Sequence, residues 1–261
     1  DPPDPRDGAE QLAHDPRAPE ERIRRKAGLL DSPENPGDSP DADLPNASGP
    51  APPEKVDPDL SQESDRPPEA ASPTGRMSQQ ELWSRYPDDY IPPPPGTKPP
   101  DVSGPFQHPS TWAADINPSS DEPEREANCG ECARAVELTW RGLPSIAAGL
   151  ASHDGERDSR MMEWAGTDLE PTDPRRLEKE LLAAGHGSSA LIAVDWTDEE
   201  GHWFNAVNYK GKIISVDGQA GTHEVWPPTR ESTGYGVDEF KRILAIIFNP
   251  DGTVRREGET T

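Results

Sequence analysis

Cysteine, histidine and apolar residues are all scarce in this chain of 261 residues, and each scarcity closes off a class of function. The two cysteines, Cys129 and Cys132, cannot make a multi-disulfide framework, and a bridge between them would close only a tiny loop. Covalent stapling is therefore not their purpose. No apolar run approaches the length of a membrane span. Basic residues are also few: 26 Lys and Arg face 50 Asp and Glu, for a net charge of -24. So acidic a surface repels phosphate backbones and anionic lipid, which argues against nucleic-acid and membrane partners and for a protein or a small molecule. Residue 1 is Asp rather than Met and no signal peptide is in view, so the sequence reads as a fragment or a processed piece of something longer.

Proline is what the chain has in plenty, and it is unevenly spread. Residues 1–120 hold 26 of the 33 prolines and carry 23 Asp and Glu against 11 Lys and Arg, with runs such as "IPPPPGTKPP". Proline fixes φ and removes a donor, and so few apolar residues cannot offset the entropy of ordering such a segment. Residues 1–120 are expected to be a disordered acidic linker or tail. Two islands, Pro19–Leu30 and Ser78–Tyr86 ("SQQELWSRY"), stand out as stretches able to form a turn or two of helix, transiently or docked on the folded part. The folded part is expected over residues 121–261.

There the punctuation is clear. A helix is predicted over residues 128–141, with Asn128 as N-cap, Glu131 completing a capping box, Cys132, Val136 and Trp140 on one face, and Gly142 as the stop. "TDPRRLEKELLAAG" gives a second helix, capped by Asp173, with Pro174 at its first position and Gly185 ending it. Strand-like runs follow at residues 189–196, 202–209, 212–217 and 240–248. Helices first and an antiparallel sheet after them make an α+β domain.

"ANCGECARAV", residues 127–136, poses the chemical question. Cys129 and Cys132 have the spacing of half a zinc site. The six histidines, at 14, 108, 153, 186, 202 and 223, stand singly and supply no second close pair, so a metal is not expected. No H-x-E precedes the cysteines, which removes the zinc-dependent nucleobase deaminases. A C-x-x-C redox pair of the thiol-disulfide oxidoreductase type needs a hydrophobic strand before it, whereas the polar "INPSSDEPEREAN" stands here.

A cysteine nucleophile with a distant histidine base fits better. Cys129 would occupy the first helical position, where free backbone N–H groups and the helix dipole favour a thiolate and can also hold an oxyanion. His202 opens a strand after Gly201, at the rim of the sheet, where a base can reach a helix terminus. The hairpin supplies a test of register. If Lys210–Gly211 is a two-residue turn, His202, Asp217 and Gln219 share one face of the sheet, and either Asp217 or Gln219 can orient the imidazole. An odd-numbered loop would turn Asp217 away. One turn into the helix, Cys132 is expected to be a small buried hydrophobe.

The ordered set "NCGECARAVELTWRG" and then "GHWFNAVNYKGKIISVDGQAG" resembles the papain-like fold toxin domain of bacterial polymorphic toxins, a family regarded as glutamine deamidases, over roughly residues 121–250. The resemblance implies a papain-like cysteine-hydrolase core in which the nucleophile-bearing helix packs on an antiparallel sheet. It implies Cys129 as nucleophile, His202 as base and Asp217 as orienting acid, with Gln219 close by; Asn128 and Cys132 join Gln219 as auxiliary candidates, and no cofactor is needed. A Pro-rich stretch ahead of a C-terminal toxin domain matches residues 1–120. The function so implied is hydrolysis of glutamine side-chain amides in a target protein. The toxin would be secreted or delivered into a target cell as the C-terminal part of a larger protein, and it would have a cognate immunity protein. The same constellation would serve a cysteine protease or a transglutaminase-like acyl transferase, and an inactive partner-binding domain is the remaining alternative. In papain-type proteases the motif C-G-x-C-W makes the second cysteine the nucleophile, an alignment that would select Cys132. The oxyanion glutamine six residues earlier is absent here: Pro123 or Glu126 stands in its place.

Overall fold

The computed structural model describes residues 76–196, 201–229, 236–256 and 259. Among the described residues four α-helices run in chain order: α1 Gln79–Arg85, α2 Cys129–Trp140, α3 Asp158–Ala165 and α4 Pro174–Ala184. Two short strands, β1 Tyr90–Ile91 and β2 Gly149–Leu150, pair with each other. The remaining strands are β3 Glu170–Pro171, β4 Ser189–Asp195, β5 Gly201–Tyr209, β6 Lys212–Asp217, β7 Thr222–Val225 and β8 Arg242–Phe248. They form one antiparallel sheet in the order β3-β8-β4-β5-β6-β7.

Both faces of the sheet are covered, and strand alternation sorts the side chains between them. Leu191, Trp203, Val207, Val216 and Phe248 lie on the side of α2. Ala190, Ile192, Phe204, Ala206 and Ile213 lie on the side of α4, against Leu177 and Leu181. Double coverage explains why "SALIAV" is buried at every position rather than at alternate ones. The predicted helices and strands fall within a residue or two of their expected bounds, and the α+β class holds. Asp173 caps α4 through bonds from the Arg175 and Arg176 N–H groups to its carboxylate, both 2.9 Å.

Two expectations need correction. The boundary at residue 120 is too late, because residues 76–120 belong to the folded body: α1, β1 and the 3-10 turns Pro109–Thr111 and Ala113–Asp115 all form there. Leu82, Tyr90, Trp112 and Ile116 are buried. A handful of large apolar anchors suffices for this. Leu82 and Tyr90 enter the core beside α3, and Trp112 and Ile116 enter the core beneath α2. Proline content outweighed these anchors in the reading of the sequence. The Ser78–Tyr86 island is helical and docked, capped by the Ser78 hydroxyl, whereas Pro19–Leu30 and the rest of residues 1–75 lie outside the described residues. The capping box at α2 does not form either. Asn128 has φ -93° and ψ 27°, away from the extended conformation that aims a cap side chain at the first-turn N–H groups, and it makes no cap bond. Glu131 is instead fully buried in an ion cluster.

Candidate active site

Cys129 is the first residue of α2 and is partly exposed, whereas Cys132 is fully buried, and neither is in a disulfide. Cys132 joins Val136 and Trp140 in the core beneath α2, as its place on the helix stripe predicts. Its Sγ donates to Asn128 Oδ1 at 3.4 Å. The dithiol reading fares poorly on this geometry, since the α2 start is preceded by the 3-10 turn Pro123–Arg125 and not by a strand.

Gly130, between the cysteines, is explained by space. A Cβ there would collide with a carboxylate oxygen of Glu156. That carboxylate is fixed by Arg134 at 2.7 Å from each of its oxygens and by the Tyr90 hydroxyl, so it is not free to yield.

The hairpin has the predicted even loop. Lys210 and Gly211 both have positive φ, 54° and 81°, as a two-residue type I′ turn requires, and Tyr209 pairs with Lys212. The ladder runs to Asn205 opposite Val216, which puts His202 and Asp217 on the same side at the strand ends. His202 Nε2 meets Asp217 Oδ2 at 2.8 Å. The other carboxylate oxygen, Oδ1, accepts the N–H groups of Gln219 (2.9 Å) and Ala220 (3.0 Å), so the turn after β6 locks the acid in place. Gly218 lets that turn lie against α2: a Cβ there would meet Val136, Ile116 and the Cys132 carbonyl at 2.7, 2.9 and 3.1 Å.

Asp217 is the residue bonded to the imidazole. Strand β6 ends at Asp217, so Gln219 sits in the turn, and its Nε2 donates to the Glu126 carbonyl at 2.8 Å. Asn128 is likewise engaged elsewhere, donating to Asn117 Oδ1 (3.0 Å) and to the Ala148 carbonyl (2.8 Å). The side chain of Asn117, which the sequence did not single out, therefore touches the start of α2. A lone asparagine in "DINPSS" carries no signal that separates it from a solvated loop.

Charge completes the picture. Burial disfavours the imidazolium of His202, but the Asp217 charge and hydrogen bond, and then the Cys129 thiol, outweigh it and push His202 up to about 10. Burial also works against the Asp217 carboxylate, yet His202 and the two N–H donors hold it below its ordinary range. His202 is thus charged at neutral pH, with Nε2 given to Asp217 and the other ring nitrogen left for Cys129.

No curated protein matches the chain. Among solved structures, a variant of the Salmonella effector SpvD is similar at 16% identity and a TM-score of 0.38, over 64% of this chain and 89% of that one, a likeness too distant to carry an argument. Among the described residues no helix is long and apolar enough to cross a membrane. Residues 127–222, from the residue before Asn128 to the first residue of β7, match the family described as papain fold toxin 1, glutamine deamidase.

Proposed function

We propose that this chain is a toxin or effector domain that hydrolyses glutamine side-chain amides in a target protein, with Cys129 as nucleophile, His202 as acid and base, and Asp217 as the residue that orients the imidazole. The observation that carries the reading is the 2.8 Å bond between His202 Nε2 and Asp217 Oδ2, which leaves the remaining ring nitrogen for the thiol at the start of α2. With the proton held on His202, the Cys129 sulfur attacks the glutamine Cδ as a thiolate. The imidazolium protonates the departing ammonia. Water, deprotonated by His202, then cleaves the thioester and leaves glutamate.

The oxyanion can be held by backbone N–H groups at the start of α2. The first N–H groups of a helix have no intrahelical partner, and here the cap side chain does not occupy them. This replaces the glutamine that papain-type proteases place ahead of the nucleophile.

The target is proposed to be a protein with a reactive glutamine, and the producing cell is proposed to carry a cognate immunity protein. The test is incubation with a candidate target-cell lysate. A mass increase of about 1 Da at one glutamine, the amide-to-acid change of this chemistry, with ammonia released and no backbone cleaved, supports deamidation. Peptide cleavage would transfer the reading to a protease. A glutamine crosslinked to an amine would transfer it to an acyl transferase.

A further inference from the structure

The His202–Asp217 half of the site stands at the end of the sheet and Cys129 at the start of α2, on elements that share no backbone hydrogen bond at that point. A buried polar knot joins them. Asn117 (6% exposed) lies at its centre, outside the span 127–222. Its Oδ1 accepts from Asn128 Nδ2 at 3.0 Å and from Arg125 Nη1 at 3.3 Å. Its Nδ2 donates to Asn128 Oδ1 at 3.3 Å, to the Arg125 carbonyl at 3.4 Å and, at 3.5 Å, to the Gln219 carbonyl. Gln219 closes the knot by donating to the Glu126 carbonyl at 2.8 Å.

We infer that Asn117 is a positioning residue for the amide hydrolysis proposed above, setting the separation of Cys129 from His202 and keeping the Asn128 side chain off the first N–H groups of α2. One side chain thus ties the turn that fixes Asp217 to the residue that precedes the nucleophile. The second task follows from residue type. Asparagine ahead of a helix ordinarily turns its oxygen onto the first-turn N–H groups. Asn117 and the Ala148 carbonyl occupy Asn128 instead, and those N–H groups stay open for an oxyanion.

The inference rests on Cys129 being the nucleophile, and the test separates the two. Full-length wild type, Asn117→Ala and Gln219→Ala are treated with iodoacetamide at pH 6.5 and pH 9, the modified cysteine is mapped by mass, and thermal unfolding is recorded. A thiol paired with an imidazolium reacts well at the lower pH, and an isolated one does not. Wild type is expected to label at Cys129 with similar rates at both values. In the variants the pH 6.5 to pH 9 ratio should fall by about tenfold or more while unfolding stays cooperative, since misplacement by about 1 Å can cost about 100-fold in a reacting pair. A merely structural residue would lower the unfolding temperature and leave the ratio of the folded protein unchanged, which would overturn the inference. If Asn117→Ala fails to fold, Asn117→Asp, which keeps the oxygen that accepts from Asn128 and Arg125 but loses the donor to the Gln219 carbonyl, decides on the same ratio. Slow labelling of wild-type Cys129 would instead overturn the nucleophile assignment itself.

Discussion

The cluster of Glu131, Arg134 and Glu156 and the pair of His202 and Asp217 are both buried ionic groups beside α2, and they differ in what they leave open. In the cluster every carboxylate oxygen is taken. Glu131 accepts from Arg134, Gln79, Trp83 and the Ala148 N–H, and Glu156 accepts from Arg134 on both oxygens and from Tyr90. Burial, reinforced by the Glu156 charge, raises the Glu131 carboxyl against the pull of Arg134, while the two acids together keep Arg134 charged despite its burial. The cluster clamps α1 and β1 onto α2 and has no reach into solvent. In the His202 pair the carboxylate is equally saturated, but one imidazole nitrogen remains, and a half-exposed thiol lies beside it. Burial and perturbed titration mark both places. A ring nitrogen not used by the carboxylate, beside a nucleophile, marks only one of them.

The largest effect should come from the open pair. Cys129→Ala or His202→Ala is expected to lower ammonia release from the target protein by about 10⁴-fold, the scale for losing a member of such a site, with thermal unfolding shifted by only a few degrees. A comparable loss on Cys132→Ala would show that the wrong thiol had been chosen.

Next in size is the closed cluster. Arg134→Met strands two carboxylates in the core and should cost about 3–5 kcal/mol of stability in urea unfolding, while Cys129 labelling of the folded fraction changes little. Loss of labelling without loss of stability would erase the distinction between the two clusters.

The pH dependence of stability sharpens it. His202 binds its proton more tightly in the folded chain, at about 10 against an ordinary 6.5. Between those values the folded state holds a proton that the unfolded state has lost. The stabilisation is complete below about pH 6.5, declines as pH rises, and is gone above about pH 10. Asp217→Asn removes the partner charge and should flatten that slope in unfolding midpoints measured across the window.

The smallest effect belongs to Cys132→Ala. It trims a small buried group and should cost on the order of 1 kcal/mol, with rapid labelling of Cys129 preserved.

Local punctuation made much of this molecule readable. Asp173, Pro174 and Gly185 bound α4 because capping and helix termination are decided within a few residues. Lys210 and Gly211 fixed the hairpin, and parity then carried His202 and Asp217 to one face before any distance was known. Where local signals are weak, the reading failed. Helix α3 was missed although Met161, Trp164 and Ala165 have helical spacing, because "DSRMMEWA" offers a single buried stripe and Arg157 makes no cap bond. Strand β7 is four residues on an edge, too short for a pattern.

The sequence by itself determined the α+β class, the hairpin register, the placement of Cys132 in the core and the choice of Cys129, His202 and Asp217 as candidates, since each follows from periodicity, caps or motif order along a short span. Only the tertiary structure decided that residues 76–120 join the fold, that Asn128 and Glu131 forgo their capping roles, that Gln219 reaches back to the Glu126 carbonyl, and that Asn117 bridges the two halves of the site. Those outcomes depend on partners far along the chain, such as Gln219 for Asn117, 102 residues away. A side chain that can cap a helix or bond a distant carbonyl commits to whichever donor or acceptor burial puts beside it, and burial is a property of the assembled chain.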